Sequence, residues 1–174
     1  MEMDPALRRA WTQIVTGDDY DEHMARIGQA QAGAGLTCQI LLAAEPPVGG
    51  RVVIAGAGTG QALDYADTAL FRPFRLTFTD LNPAFLARLA QRLAKHGLAA
   101  TVLEDDIEQT AIEPGPDLLL ATLLLEHIDW RRGVEQQSRN AISTEDVRAL
   151  RKQGGVSQPD RLLNPAYFRV RKKS

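Results

Sequence analysis

One cysteine, three histidines and 6% aromatic residues are all that a chain of 174 residues carries of these types. Cys38 alone closes no internal disulfide and makes no zinc site, so the composition predicts a cytoplasmic protein with Cys38 as a small apolar residue on a helix. His23 and His96 read as surface positions without partners at metal-ligand spacing, and no metal is expected. No run approaches the roughly 18 apolar residues of a membrane span, and the N-terminus lacks a basic start followed by an apolar core. No membrane partner is expected. Charge of neither sign dominates, since the formal net charge is -2, and nothing global points to nucleic acid.

What is present is ordinary globular material: 44% hydrophobic and 24% charged residues, enough to bury one core without staples. The charges are uneven. Residues 148–174 hold eight Lys or Arg against one Asp, and residues 1–147 hold 12 against 21. The basic tail reads either as a solvated terminus or as a surface for an anionic partner.

Periodicity divides the chain into 1–48 as an N-terminal helical cap, 49–135 as an α/β core and 136–174 as an atypical basic segment. Asp4 and Pro5 form an N-cap and first-turn proline, after which Leu7, Trp11, Ile14 and Val15 recur at helical spacing. Residues 20–44 predict a longer helical region interrupted around residues 33–35. Residues 51–55 are a β-branched run bounded by glycines, which suits a buried parallel strand. Residues 61–70 predict a helix and 75–79 a second strand ending at Asp80. Asn82 and Pro83 cap a helix with Leu86, Leu89, Ala90 and Leu93 on one face, Arg88, Arg92 and Lys95 turned outward, and Gly97 closing it. Residues 100–103 and 118–125 predict two more strands, the latter apolar on both faces and therefore central. Residues 167–170 allow one further short strand. The class is α/β: an open, mainly parallel Rossmann-like sheet with helices on both faces and an N-terminal helical extension.

The stretch "VVIAGAGTGQ" turns from the first strand into the following segment through three glycines, and such a turn faces a ligand beyond the strand ends. A dinucleotide fingerprint beginning at Gly56 requires glycine at position 61, where Gln61 stands, and a phosphate loop requires glycine there followed by lysine. Both fail. What remains is G-A-G-T-G followed by Asp80, a carboxylate able to accept both hydroxyl protons of a ribose or to serve the next helix start. Asp106 is placed to accept from an adenine amino group beside the Ile107 backbone, or to stand with Glu104 and Asp105 in a solvated loop. Together the strand ends describe a nucleoside pocket.

On "VVIAGAGTG", "FTDLNPAFL", "LEDDIEQ" and "PDLLLATLLLEHIDW", in this order, the chain resembles the class I S-adenosylmethionine-dependent methyltransferases of small-molecule type over about residues 20–135. The resemblance implies S-adenosylmethionine as cofactor and a small-molecule methyl acceptor. It sets Gly56, Gly58 and Gly60 under the methionine and ribose portions, Asp80 with Leu81 at the ribose, Asp106 with Ile107 at the adenine, and Tyr20 as an aromatic closing over the cofactor. Glu126 and His127, after the fourth strand, are the candidate bases for an N or O acceptor, His127 first.

Two departures stand out. Many members of that family carry an acid two residues before the first glycine to organise the cofactor's ammonium end, and here that position is Ile54, which leaves backbone carbonyls near Ala55 or Thr122. The usual sheet has seven strands, and residues 131–174 supply no recognisable fifth and sixth. The sheet therefore reads as incomplete on its C-terminal side. An apolar fourth strand would then be an open edge, covered by the tail or by a second copy in a homo-oligomer, unless the chain is a shortened form of a longer methyltransferase. Two rival readings follow: a non-catalytic methyltransferase-like binding module, and a nucleic-acid methyltransferase using Arg169, Arg171, Lys172 and Lys173. The second lacks the N/D-P-P-[YF] segment of amino-methylating relatives, since residues 124–128 read LLEHI.

Overall fold

A computed structural model describes residues 5–121 and 166–168. Strands β1 (Arg51–Ala55), β2 (Arg75–Asp80), β3 (Ala100–Glu104), β4 (Leu118–Ala121) and β5 (Ala166–Phe168) form one sheet in the order β3-β2-β1-β4-β5. β1 to β4 are parallel and β5 is antiparallel to β4. The β-branched run of β1 sits between β2 and β4 with Ile54 beside Phe78 on one side and Leu120 on the other. That position buries Val52, Val53 and Ala55 almost completely. The expected parallel α/β sheet is therefore present, and the strand bounds read from the sequence agree within one residue at β1, β2 and β3. β4 is central as expected, because Tyr167 pairs with Leu120 on its far side. Residues 122–125 of the expected strand lie outside the described residues.

The order of the strands decides where a ligand can sit. The chain runs outward from β1 through β2 to β3, then returns to the opposite side of β1 for β4. At such a reversal the loops leaving the carboxyl ends of β1 and β4 diverge and open a crevice. The glycine turn leaves β1 at that reversal.

The helical segments depart from expectation at three places. Helix α1 (Pro5–Arg9) continues as one wide π-helical segment, Ala10–Ile14, and Asp4 lies outside the described residues. Beyond it, the break falls at Ile27 and Gly28, not at residues 33–35, giving α2 (Gly17–Arg26) and α3 (Gln29–Ala44). Gly28 adopts φ 69, which ends a helix, whereas Gly33 and Gly35 merely lower helix propensity and leave α3 continuous. The expected helix over residues 61–70 is instead two 3-10 turns, Gln61–Asp64 and Thr68–Phe71. Asp67 separates them: its side chain accepts from the Ala69 N–H at 3.1 Å, a local cap that starts a new turn and competes with continuation of the first.

Helix α4 (Pro83–Lys95) follows the sequence closely. Asn82 Oδ1 accepts from the N–H groups of Ala84 at 2.9 Å and Phe85 at 3.4 Å, and the turn at Gly97 follows the last residue. Leu86, Leu89 and Leu93 are buried on the sheet, but Ala90 is exposed and Phe85 takes the fourth place in the apolar stripe. Arg88 and Arg92 are not simply solvent-facing: both are half-buried against α2.

Candidate functional site

The glycine turn is held from β2. The Thr79 carbonyl accepts from Ala57 N–H at 2.9 Å, and Asp80 Oδ2 accepts from Gly58 N–H at 2.8 Å. Asp80 Oδ1 accepts from Asn82 N–H at 2.9 Å, and its carbonyl accepts from Asp105 N–H at 3.1 Å. One acid therefore ties the ends of β1, β2 and β3 together. Asn82, not Asp80, caps α4. Burial raises the Asp80 carboxyl above the ordinary carboxylate range, against the lowering effect of N–H donors from Asn82, Gly58 and Leu81. Three backbone donors leave one of the carboxylate's roughly four acceptor positions open. The carboxylate thus combines partial burial, a fixed orientation and spare acceptor capacity at the end of β2.

Tyr20 stands over the turn. A Cβ placed on Gly58 would lie 2.9 Å from the Tyr20 hydroxyl, so glycine is the residue that lets the ring approach. The ring is held edge-on by Trp11 at 6.2 Å and tilted against Phe85 at 4.8 Å. On the next turn, Gly60 adopts φ 71 and packs so closely on α4 that a Cβ would collide with Leu89 Cδ1. Asp106 follows β3 as expected, but its Oδ2 accepts from Arg8 Nη2 at 2.5 Å. An acid expected to meet an adenine amino group is thus paired with the N-terminal helix. Ile107 beside it is buried, and Leu81 is half-buried. Thr122, Glu126 and His127 lie outside the described residues. No group of three or more His, Cys, Asp or Glu that could hold a metal occurs among the described residues.

Asp21 is the residue that the sequence did not reveal. Its Oδ2 accepts from Arg88 Nη1 at 2.8 Å and Arg92 Nη2 at 2.6 Å, its Oδ1 accepts from the Thr59 hydroxyl, and its carbonyl accepts from Gln61 Nε2 at 3.0 Å. Arg92 also donates to the Thr59 carbonyl at 2.8 Å and to Asp64 at 2.9 Å. Through this half-buried acid, α2, α4 and the glycine turn become one unit. A signal was available: Arg88 and Arg92 are like charges at i, i+4, an arrangement that is unfavourable on an isolated helix unless an acid from elsewhere lies between them.

Behind the turn, between α3 and the first 3-10 turn, lies a cavity of about 90 Å³. Its wall is mostly apolar, including Ile54, Leu63, Phe71 and Phe78, with Tyr20, Thr37, Gln29 and Gln61 as its polar side chains. Gln29 Nε2 and Gln61 Oε1 are buried without a hydrogen-bond partner. The donor set fits an adenosyl-amino-acid ligand: a half-buried acid able to accept from ribose hydroxyls, a turn of glycines to approach, and orphaned amide atoms on residues beside that turn.

A parallel sheet that reverses at β1, a glycine turn at the reversal and an acid from β2 bonded to that turn define the class I S-adenosylmethionine-dependent methyltransferase fold. The family model described as a methyltransferase domain matches residues 53–156, more than half of the chain, and the chain belongs to that family. Among solved structures, it is similar to magnesium protoporphyrin IX methyltransferase from Synechocystis PCC 6803 with bound SAH. That likeness has 17% identity and a TM-score of 0.53, and it covers 86% of this chain and 71% of the other. A SAM-dependent methyltransferase from Aquifex aeolicus is similar at 18% identity with a TM-score of 0.50, covering 59% of this chain and 56% of the other. A third, an S-adenosylmethionine-dependent methyltransferase from Clostridium acetobutylicum ATCC 824, has 18% identity and a TM-score of 0.41 over 51% of this chain. The match spans only 34% of that protein's length. No curated protein matches the chain.

Proposed function

We propose that the chain binds S-adenosylmethionine and directs transfer of its methyl group to a small-molecule acceptor by in-line attack on the sulfonium methyl. The observation that carries this reading is the half-buried Asp80 carboxylate bonded to Gly58 N–H at the strand reversal. The bound cofactor supplies an electrophilic methyl group; the chain's task is to bind, to orient and to exclude water. In this reading Gly56, Gly58 and Gly60 lie along the methionine and ribose, Asp80 and Leu81 serve the ribose, and Ile107 meets the adenine. Asp106 joins it on exchanging Arg8 for the adenine amino group. Tyr20 closes the site. Glu126 or His127 takes the proton from an N or O acceptor. Residues 1–48 act as the cap, 49–135 as the cofactor core and 136–174 as an appended basic segment. A cytoplasmic location accords with the single cysteine; no helix among the described residues is long and apolar enough to cross a membrane.

Calorimetry with S-adenosylmethionine and NAD in parallel tests this. Saturable binding of the first alone, abolished by Asp80→Ala, is expected; binding of NAD, or Asp80→Ala binding as tightly as the wild type, sinks it. Ile54, buried at the position where many members of the family carry an acid, favours a second reading as a binding module without catalysis. Cofactor binding without turnover over a panel of acceptors would select it.

A further inference from the structure

Two residues that line one cavity, Gln29 and Gln61, each carry a buried amide atom without a partner, and such orphans are rare in folded proteins unless a ligand or water serves them. We infer that Gln61 and Gln29 hold the amino-acid end of the methyl donor, Gln61 Oε1 accepting from its ammonium and Gln29 Nε2 donating to its carboxylate. The inference rests on the donor reading above and assigns to these side chains what Ile54 lacks.

The orientation of Gln61 is fixed by chemistry. The Asp21 carbonyl only accepts, so the atom 3.0 Å from it is the amide nitrogen, and the oxygen is the end left free. The cavity wall includes Gly56 and Gly60 of the turn and Ile54, the position at which the resemblance sets an acid in many members of the family. Gln61 therefore stands in the same cavity as the missing acid. It is also the residue that breaks the dinucleotide pattern, so the side chain that removes a third glycine supplies an acceptor in its place. An unpartnered acceptor and an unpartnered donor on residues of one small cavity, which Tyr20 and Thr37 also line, complement a zwitterion, and neither helps a purely apolar occupant. Asp21 is not available for the role, because Arg88 and Arg92 already neutralise it.

Ligand truncation separates this from a structural role. S-adenosylhomocysteine carries the amino-acid end, and 5′-methylthioadenosine keeps the adenosine and thioether without it. Calorimetry of Gln61→Leu and Gln29→Leu with both ligands should show S-adenosylhomocysteine weakened about tenfold or more and methylthioadenosine changed less than about twofold. Retained methylthioadenosine binding also shows that the variants are folded. Equal losses for both ligands would mean that the glutamines only shape the turn, and unchanged S-adenosylhomocysteine binding would mean that they do not touch the ligand; either overturns the inference. A wild-type chain that binds no S-adenosylhomocysteine overturns the donor reading beneath it.

Discussion

Tyr20 carries the chemistry of the closed turn in a single side chain. Burial pushes its hydroxyl up to about 12, and the negative charges of Asp80 and Asp21 push in the same direction. The sign follows directly: the folded state holds the phenolic proton more tightly than the unfolded chain, whose value is 10.0, so stability is lost as pH rises from there through the folded value. Tyr20 should add a late phase, above the ordinary tyrosine value of 10.0, to an absorbance titration at 295 nm, and Tyr20→Phe should remove that phase. A wild-type curve complete by pH 11 would show that the ring does not sit over Gly58. At this scale the sequence was informative where chemistry is local. Asp80 and the Asn82 cap are legible because each acts within a few residues of a glycine turn or a helix start. Asp21 is not legible, because it sits among Asp18, Asp19 and Glu22 and its arginine partners come from α4, 67 and 71 positions away.

Elements were legible in proportion to the strength of their punctuation. β1 and β2 read almost to the residue from β-branched runs, and α4 from its cap, its proline and its closing glycine. The segment after the glycine turn misled because Asp67 resets the backbone in mid-run, an event too short to disturb an apolar pattern. That segment is pinned to α4 at two points. Gly60 lies against Leu89 at φ 71, so Gly60→Ala combines backbone strain with a steric collision and should cost about 1–3 kcal/mol in urea denaturation. An unchanged midpoint would contradict the packing. Asp64 is the second point: burial would raise its carboxyl, but hydrogen bonds from Lys95, His96 and Arg92 hold it well below the usual carboxylate range. Its contribution is complete above the unfolded value near ~4 and is lost as pH falls below that toward the folded value. Solvent exposure keeps the effect small. Asp64→Asn should therefore lower Tm slightly at pH 6 and flatten the fall in Tm below about pH 4; a parallel pair of curves would show that the cluster adds nothing.

At the scale of the molecule, the question raised by an apolar fourth strand has a partial answer. β4 buries Leu118 and Leu120 completely, and its edge beyond β1 would present unpaired N–H and C=O groups to any strand of another chain. Three residues of the basic tail take that edge, Phe168 opposite Leu119, Tyr167 opposite Leu120 and Ala166 opposite Ala121. The tail's location was legible only as a short β-prone stretch; its partner was not, because antiparallel pairing across more than forty residues leaves no local pattern. Charge and strand make different predictions here. Deleting residues 169–174 removes Arg169, Arg171, Lys172 and Lys173 but leaves β5, and should yield the same species in light scattering as the full chain. Deleting residues 166–174 removes the strand as well, and should yield larger assemblies with a lower Tm, since the exposed edge pairs between copies. Larger assemblies from both deletions alike would mean that the tail protects through charge alone, and full-chain behaviour of both would mean that β5 contributes nothing to covering the sheet.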